Sequence, residues 1–408
     1  MSRSPDFWVP HLPSQVRDLA LLIFVAAAYG ALARLALWMG DPADGSALFW
    51  PAGGFATGVL ILAQRRRWAW VLGGVAVGEI LNDLTSGYPL MPTLWWTLGN
   101  VVGPLLGAST TLGVIHARTE DRRSPWGTTA SFVVFAVGIG PLVGSAFGSY
   151  GTTYSGDPWL SIWPSYFLGD ALGVLVFAPV VLAQRVPWPR RGWSESMAFL
   201  IAVAVIPVIA FWRFPGPLGL VPEYSVLILF TWAAVRFGFR GSSLAVAVAA
   251  VLAHGAVGIG RTPFYYEEAP LDPFASAQLF LALSAISTLL IAALVSELRE
   301  REYVEAELRD FAFRDSLTGL SNRAGLRHTL EGELAGWLDS GGLTLLLCDL
   351  DHLKVVNDSL GHATGDEVLV EVARRLSSAL EGRGVAARLG GDEFVLAVPA
   401  CSRDDGRA

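Results

Sequence analysis

Apolar runs at about 19–39, 47–63, 70–87, 93–115, 129–150, 164–184, 196–212, 218–236, 242–260 and 274–296 fill the chain up to residue 296. Most reach the roughly 20 residues with which an α-helix crosses a bilayer, where every backbone N–H and C=O must find its partner inside the helix. Such a chain folds as a polytopic helical bundle. The second and seventh runs are the short ones and leave room for re-entrant or half-buried segments. With 53% hydrophobic residues, 16% charged residues and a mean hydropathy of +0.48, an ordinary soluble protein is excluded.

Charge sets the expected topology. Arg65, Arg66 and Arg67 follow the second run; Arg118, Arg122 and Arg123 follow the fourth. Arg185, Arg190 and Arg191 follow the sixth, and Arg236 and Arg240 bracket the turn after the eighth. The alternate loops carry Asp41, Asp44, Asp157, Glu267, Glu268 and Asp272, with only Arg213 and Arg261 as basic residues. The positive-inside rule puts both termini in the cytoplasm and makes the number of crossings even. Trp38, Trp50, Trp68, Trp70 and Trp163 sit near segment ends, as interfacial anchors do. The first run follows Arg17-Asp18, is long enough to span, and reads as a retained anchor rather than a cleaved signal. Both cysteines, Cys348 and Cys401, lie in the tail, so no disulfide is expected and Cys348 reads as a small core residue. A net charge of −7 offers no basic surface for nucleic acid.

Arg34, Glu79, Asn82, Asp83, Asn100, Asp170, Arg236 and His254 fall within or beside the apolar runs. Such groups are costly in lipid and mark either a ligand pocket or a structural pair. Asp170 and Arg236 are the candidates for a sensing site, or for pairing with each other. Small residues recur at Gly73, Gly74 and Gly78 and at Gly99, Gly103 and Gly107, a pattern of close helix packing.

After residue 296 the sequence turns charged. SELREREYVEAELRDFAFRD at 296–315 continues the last helix, with Val304, Leu308 and Phe311 forming a seam too brief for a stable coiled coil. It is either a solvated connector or an element that pairs two subunits. The expected division is therefore a membrane domain at 15–296, a helical linker at 297–312 and a tail domain at 313–408.

The tail carries the chemistry. In RLGGDEF at 388–394, apolar residues alternate before the glycines (Val385, Ala387, Leu389) and after them (Phe394, Leu396, Val398). This is a hairpin of two half-buried strands, bent at Gly390-Gly391 and presenting Asp392 and Glu393. A glycine turn of this kind lets a phosphate approach the main chain at Gly391. LTLLLCDLD at 343–351 reads as a strand buried on both faces, with Asp349 at its carboxyl end. Asp349 and Asp392 from neighbouring strand ends make half a magnesium site, which substrate phosphates complete. Lys354, Asn357, His362 and Asp366 follow; a lysine can neutralise phosphate charge, and amide and carboxylate groups can read a purine edge.

DSLTGLSNR at 315–323, DLDHLKVVNDSLGHATGDEVL at 349–369 and RLGGDEF at 388–394 together resemble the GGDEF family of diguanylate cyclases. The resemblance implies an α/β palm-like domain with a mostly antiparallel sheet, acting as a homodimer through linker and GGDEF domains. Each subunit would hold one GTP and Mg2+, and two GTP would be joined into cyclic di-GMP. It implies metal binding by Asp349, the Leu350 carbonyl and Asp392, and guanine recognition by Asn357 and Asp366, with His362 near the nucleotide. Lys354 would stabilise the transition state, and Asp392 or Glu393 would help deprotonate the attacking 3′-hydroxyl. Taken singly, Asp366 also fits a helix N-terminal charge, and Asp315 and Ser321 fit turn or cap residues.

Departures from the family pattern are Leu353 and Leu389 in place of aromatics. Glu381 and Gly384 stand where the family's Arg-x-x-Asp feedback site would be. The chain stops at Ala408, fourteen residues past Phe394, so an incomplete domain is expected. FWPAGG at 49–54, LGNVVGPLLGA at 98–108, FLGDALGVLVFAPVVL at 167–182 and WAAVRFGFRG at 232–241 resemble the first type of membrane-associated sensor (MASE) domain of bacteria. That family implies about eight crossings and a bacterial inner membrane, surrounded by lipid. The expected whole is an all-α polytopic membrane bundle followed by a truncated α/β palm-like GGDEF domain. The alternatives are a GGDEF receptor that binds GTP or a cyclase partner without turnover, and a transporter suggested only by the intramembrane charges.

Overall fold

The structure, a computed structural model, describes residues 13–40, 47, 49–117, 128–129, 131–153, 158–189, 191–212, 222–261, 263–264, 273–339 and 342–399. Asp41, Asp44, Arg118, Arg122, Arg123, Asp157, Arg190, Arg213, Glu267, Glu268, Asp272 and Cys401 lie outside the described residues. The chain divides into two compact units, Met1–Leu298 and Arg299–Ala408.

Each of the ten apolar runs contains a helix. In chain order these are α1 (Ser14–Trp38), α2 (Pro51–Leu62), α3 (Trp68–Thr85), α4 (Leu90–Ala117), α5 (Phe132–Thr152) and α6 (Trp159–Leu182). They continue with α7 (Trp193–Phe211), α8 (Val226–Trp232), α9 (Gly238–Gly258) and α10 (Pro273–Phe313). Seven stretches are long and apolar enough to cross a membrane, Glu223–Gly258 being counted as one of them. That stretch folds back on itself. A π-helical turn, Ala233–Phe237, carries α8 to Gly238, whose φ of 61° is open to glycine at no cost. On α7, Phe199 stacks on Phe237 at 4.1 Å, while at its far end Trp212 Nε1 donates to the Leu252 carbonyl. Thus α8 runs antiparallel to α7, and α9 runs back alongside it. At 12 residues α2 is too short to span, as its sequence suggests, whereas α7 reaches 19.

Helices here meet where side chains vanish. A Cβ at Gly54 of α2 would collide with the Gly173 carbonyl of α6, and one at Gly173 with the Trp50 carbonyl. Gly74 and Gly78 bring α3 against the Leu22 and Ala26 carbonyls of α1, each 2.7 Å from where a Cβ would sit. The repeated small residues therefore pack helices, as lipid-embedded bundles require. Three apolar clusters result, the smallest formed by Phe132, Ala136, Val174 and Ala178 between α5 and α6. Of the larger two, Val25, Tyr29, Ala56, Leu60 and Val75 centre one on α1–α3; Leu175, Phe199, Phe230, Ala249 and Leu281 centre the other on α6–α10.

The basic loops meet at one end of this unit. Arg185 donates to the Leu62 carbonyl, Arg240 to that of Val186, and Arg191 to that of Arg236. Arg236 itself forms a two-pronged ion pair with Glu195, at 2.6 and 3.0 Å. The pairing of Asp170 with Arg236 suggested by the sequence is thus not made; Glu195, at the start of α7, takes the guanidinium instead.

The second unit contains α11 (Arg323–Asp339), β1 (Leu343–Asp349), α12 (Leu353–Leu360), α13 (His362–Leu380), β2 (Val385–Gly390) and β3 (Glu393–Pro399). The sheet is antiparallel in the order β1-β3-β2, with Leu346 opposite Leu396 and Ala387 opposite Val395. Leu369, Ala373 and Leu380 of α13 cover one face with Ala386, Phe394 and Leu396; Leu326 of α11 packs on Ala387, Val395 and Ala397 on the other. The reading of β1 as buried on both faces is corrected. Leu345 is 55% and Leu347 72% exposed, because among the described residues β1 is an edge strand and α11 covers only its Leu343 end. Cys348 is half-buried against the α13 cluster. Leu298, Tyr303, Val304, Leu308 and Phe311, in the charged part of α10, are exposed.

Replacing Gly173 by Val should force α2 and α6 apart. Overpacking costs about 1–3 kcal/mol, so circular dichroism of the detergent-purified chain should show a melting point several degrees lower.

Candidate functional site

The sheet's turn end collects the acids. Two residues, Gly391 and Asp392, join β2 to β3, and a bulge between Arg388 and Gly390 sharpens the bend. Gly391 has φ 56° and Gly390 147°, values that a side chain would strain. Glu393 opens the central strand and lies opposite Gly390 on one side and Asp349 on the other. Asp349, Asp392 and Glu393 therefore converge on one end of the sheet, with the half-buried Leu350 following Asp349. Directly opposed like charges, their Cβ atoms about 5 Å apart, repel in an antiparallel pair. A hard cation relieves that repulsion, and a set of carboxylates and a carbonyl supplies the oxygens magnesium prefers. Among the described residues no three carboxylate, histidine or cysteine groups close a metal site by themselves. An ion here would need further oxygens, such as those of a phosphate.

Beyond β1 the chain turns through His352 (φ 65°), whose carbonyl accepts from the Val355 N–H, and enters α12. Lys354 and Asn357 lie one turn apart on this helix, Lys354 exposed and Asn357 half-buried. Gly361, at φ 89°, bends the chain into α13, which starts at the exposed His362, one turn ahead of Asp366. A Cβ at Gly365 would strike Asn357 Oδ1, so the Asn357 amide rests on the glycine next to Asp366. Asn357 and Asp366, nine residues apart with a helix break between them, come together at this bare spot. Gly365 was not among the residues the sequence singled out; its place directly before Asp366 was the available signal.

Asp315 and Arg388 were also passed over as site residues. Asp315 Oδ1 accepts from the Thr318 N–H at 2.9 Å and its hydroxyl at 2.7 Å, which makes Asp315 a turn residue, and also from Arg388 at 3.0 Å. Arg388 Nε and Nη2 donate to the Gly391 carbonyl at 2.9 and 2.8 Å. One guanidinium thus fastens the glycine turn to the loop that leaves α10. Ser321 in that loop extends the sheet by a parallel bridge to Ala387, and Asn322 caps α11 through the Gly325 N–H. Burial opposes ionisation of Asp315, but hydrogen bonds from Thr318 and Arg388 outweigh it and hold the carboxyl below its usual value. Glu381 ends α13 in the left-handed region, and a Cβ at Gly384 would collide with the Ala397 carbonyl, so no aspartate fits there without moving β3.

Arg388→Lys keeps the charge but loses the fork, and should destabilise the second unit by about 1–3 kcal/mol, read by hydrogen exchange at the β2–β3 turn. A depressed carboxyl stabilises the fold fully above the usual aspartate range and loses that contribution on acidification. The gap between wild type and variant should therefore shrink as pH falls below about 4.

The sequence profile of the MASE1 family matches residues 19–299, and that described as diguanylate cyclase, GGDEF domain, matches residues 312–408. The probable diguanylate cyclase DgcF of Escherichia coli O157:H7 is 30% identical over 260 residues, covering 60% of this chain and 52% of its own length. MucR of Pseudomonas aeruginosa, a bifunctional diguanylate cyclase/cyclic di-GMP phosphodiesterase, is 31% identical over 268 residues, 56% of this chain and 39% of its length. An uncharacterised protein of Mycobacterium tuberculosis is 47% identical over 118 residues, 29% of this chain and 18% of its length. The chain thus spans about half, or less, of these relatives. With the profile covering nearly all of the helical unit, this multi-pass membrane protein belongs to the MASE1 family and carries a GGDEF domain behind its membrane unit.

Proposed function

We propose that the protein is a receptor of the bacterial inner membrane, with both termini in the cytoplasm, whose tail is a magnesium-dependent diguanylate cyclase. The domains would be a sensor at 15–296, a signalling linker at 297–312 and a cyclase at 313–408. The observation that carries this reading is the meeting of Asp349, Asp392 and Glu393 at a glycine turn fixed by Arg388. The similarity to named diguanylate cyclases supports it.

Asp349, the Leu350 carbonyl and Asp392 would hold Mg2+, which, when bound, neutralises charge on the triphosphate. Gly391, lacking a side chain, leaves the main chain open to a phosphate. Asn357 and Asp366, joined at Gly365, would read the guanine edge, with His362 beside the nucleotide. Two subunits would meet through linker and cyclase domains, each bringing one GTP. The 3′-hydroxyl of one GTP attacks the α-phosphorus of the other; its proton passes to Asp392 or Glu393, and pyrophosphate departs with Lys354 neutralising its charge. A second, symmetrical attack closes the ring, so two pyrophosphates leave for each cyclic di-GMP.

Purified protein with Mg-GTP should release cyclic di-GMP by chromatography, and chelation with EDTA should stop it. Asp392→Ala should abolish product, and equal product from variant and wild type would refute the assignment. Gly365→Ala should raise KM for GTP about tenfold with little change in kcat, because losing a hydrogen bond to the base removes about 1.4 kcal/mol of binding. Asn357→Ala should do the same, and the double variant should add little to either.

A further inference from the structure

Arginines gather at the end of the first unit where the basic loops meet, and several of them have no anion. Arg65 and Arg66 lie exposed between α2 and α3, Arg185 lies exposed just past α6, and Arg240 is half-buried at the start of α9. Of the carboxylates described at this end, Asp18 is taken by Arg67 at 3.2 Å and Glu195 by Arg236, with Arg191 also close to Glu195. Among the described residues, no carboxylate pairs with Arg65, Arg66, Arg185 or Arg240.

Neutral groups hold these cations in place. Arg185 donates to the Leu62 carbonyl at 2.6 Å, Arg240 to that of Val186 at 3.0 Å, and Arg66 to Gln64 Oε1 at 2.8 Å. Arg65 and Arg240 also lie over the rings of Trp68 and Trp188, at 5.5 and 5.7 Å. A guanidinium carries five N–H donors, so most of each fork stays unused. The contacts gather three of them. Arg185 reaches the last residue of α2, only three residues from Arg65, and Arg240 reaches the residue that follows Arg185. Three residues span at most about 11 Å. At the same end Trp70 and Trp193 are exposed, which marks the level of lipid headgroups.

We propose that this end binds an anionic phospholipid whose headgroup carries two phosphodiesters, with Arg65, Arg185 and Arg240 as its ligands. A phosphodiester presents two charged oxygens, which a single planar fork engages, so three forks without carboxylates outnumber one phosphate. Their place at headgroup depth favours a lipid over free phosphate. Arg65 adjoins the α1–α3 cluster, and Arg185 and Arg240 adjoin the α6–α10 cluster, so the bound lipid clips the two together. The proposal rests on the unit's place in a bilayer and not on the cyclase reading.

The test is native mass spectrometry of the full, detergent-purified chain titrated with diphosphatidylglycerol, phosphatidylglycerol, phosphatidylcholine or inorganic phosphate. A single diphosphatidylglycerol should be retained per chain; phosphatidylglycerol should need about tenfold more, and phosphatidylcholine and inorganic phosphate should not be held. Arg65→Gln, Arg185→Gln and Arg240→Gln should each weaken diphosphatidylglycerol retention about tenfold, the loss of one charge-assisted fork. Arg34→Gln, towards the far end of α1, should not. No retention, equal retention of the one- and two-phosphate lipids, equal retention of phosphatidylcholine, or unchanged retention by Arg65→Gln would overturn the proposal. Should Arg185→Gln or Arg240→Gln not elute as a single species, Arg65→Gln decides, because Arg65 is exposed on a turn and its removal frees no backbone carbonyl.

Discussion

The Arg388 guanidinium governs the geometry of the site end of the second unit, because three of its N–H groups join the glycine turn to the loop that leaves α10. Two of them close on the Gly391 carbonyl and one on Asp315, seventy-three residues earlier. A glycine-rich turn is the least self-supporting part of a hairpin, since glycine gives up the most conformational freedom on folding. Tied down by a charged fork, the turn can present Asp392 and Glu393 against Asp349 despite their mutual repulsion. The same fork makes the acids' position depend on the loop that follows α10, so that order in one is order in the other.

The membrane unit rests on a different principle. Apolar side chains gain little by leaving lipid for one another, so contact depends on how closely backbones approach. Gly54 against Gly173, and Gly74 and Gly78 against α1, allow that approach by giving up all side-chain volume. Polar groups then collect where helices are already locked. The Arg236–Glu195 pair sits at the end where the basic loops meet, and the Glu79–Asn100 hydrogen bond lies between α3 and α4.

Much of this was legible in the chain. Each of the ten apolar runs contains a helix, because a bilayer leaves the backbone no alternative, though the helix within 218–236 is only Val226–Trp232. Alternation around Gly390-Gly391 gave the hairpin, and Asp349 at the end of an apolar run gave its acidic neighbour. What escaped was set by contacts distant in sequence. Exposure of Leu345 and Leu347 depends on which strand lies beside β1, and no local pattern records that. Arg236 chose Glu195 over Asp170 through the fold-back at Gly238, where one φ value reverses the chain. Gly365 reads as an ordinary helical glycine until Asn357 is seen lying on it.

The margin of β1 that no described residue pairs with has a structural corollary. Along it, backbone amides and carbonyls face outward beside Leu345 and Leu347, an arrangement that invites another extended segment to zip alongside. A segment that pairs there would cover both leucines, so this margin is where the sheet of the second unit accepts a further strand. A charge at either leucine would hinder that pairing.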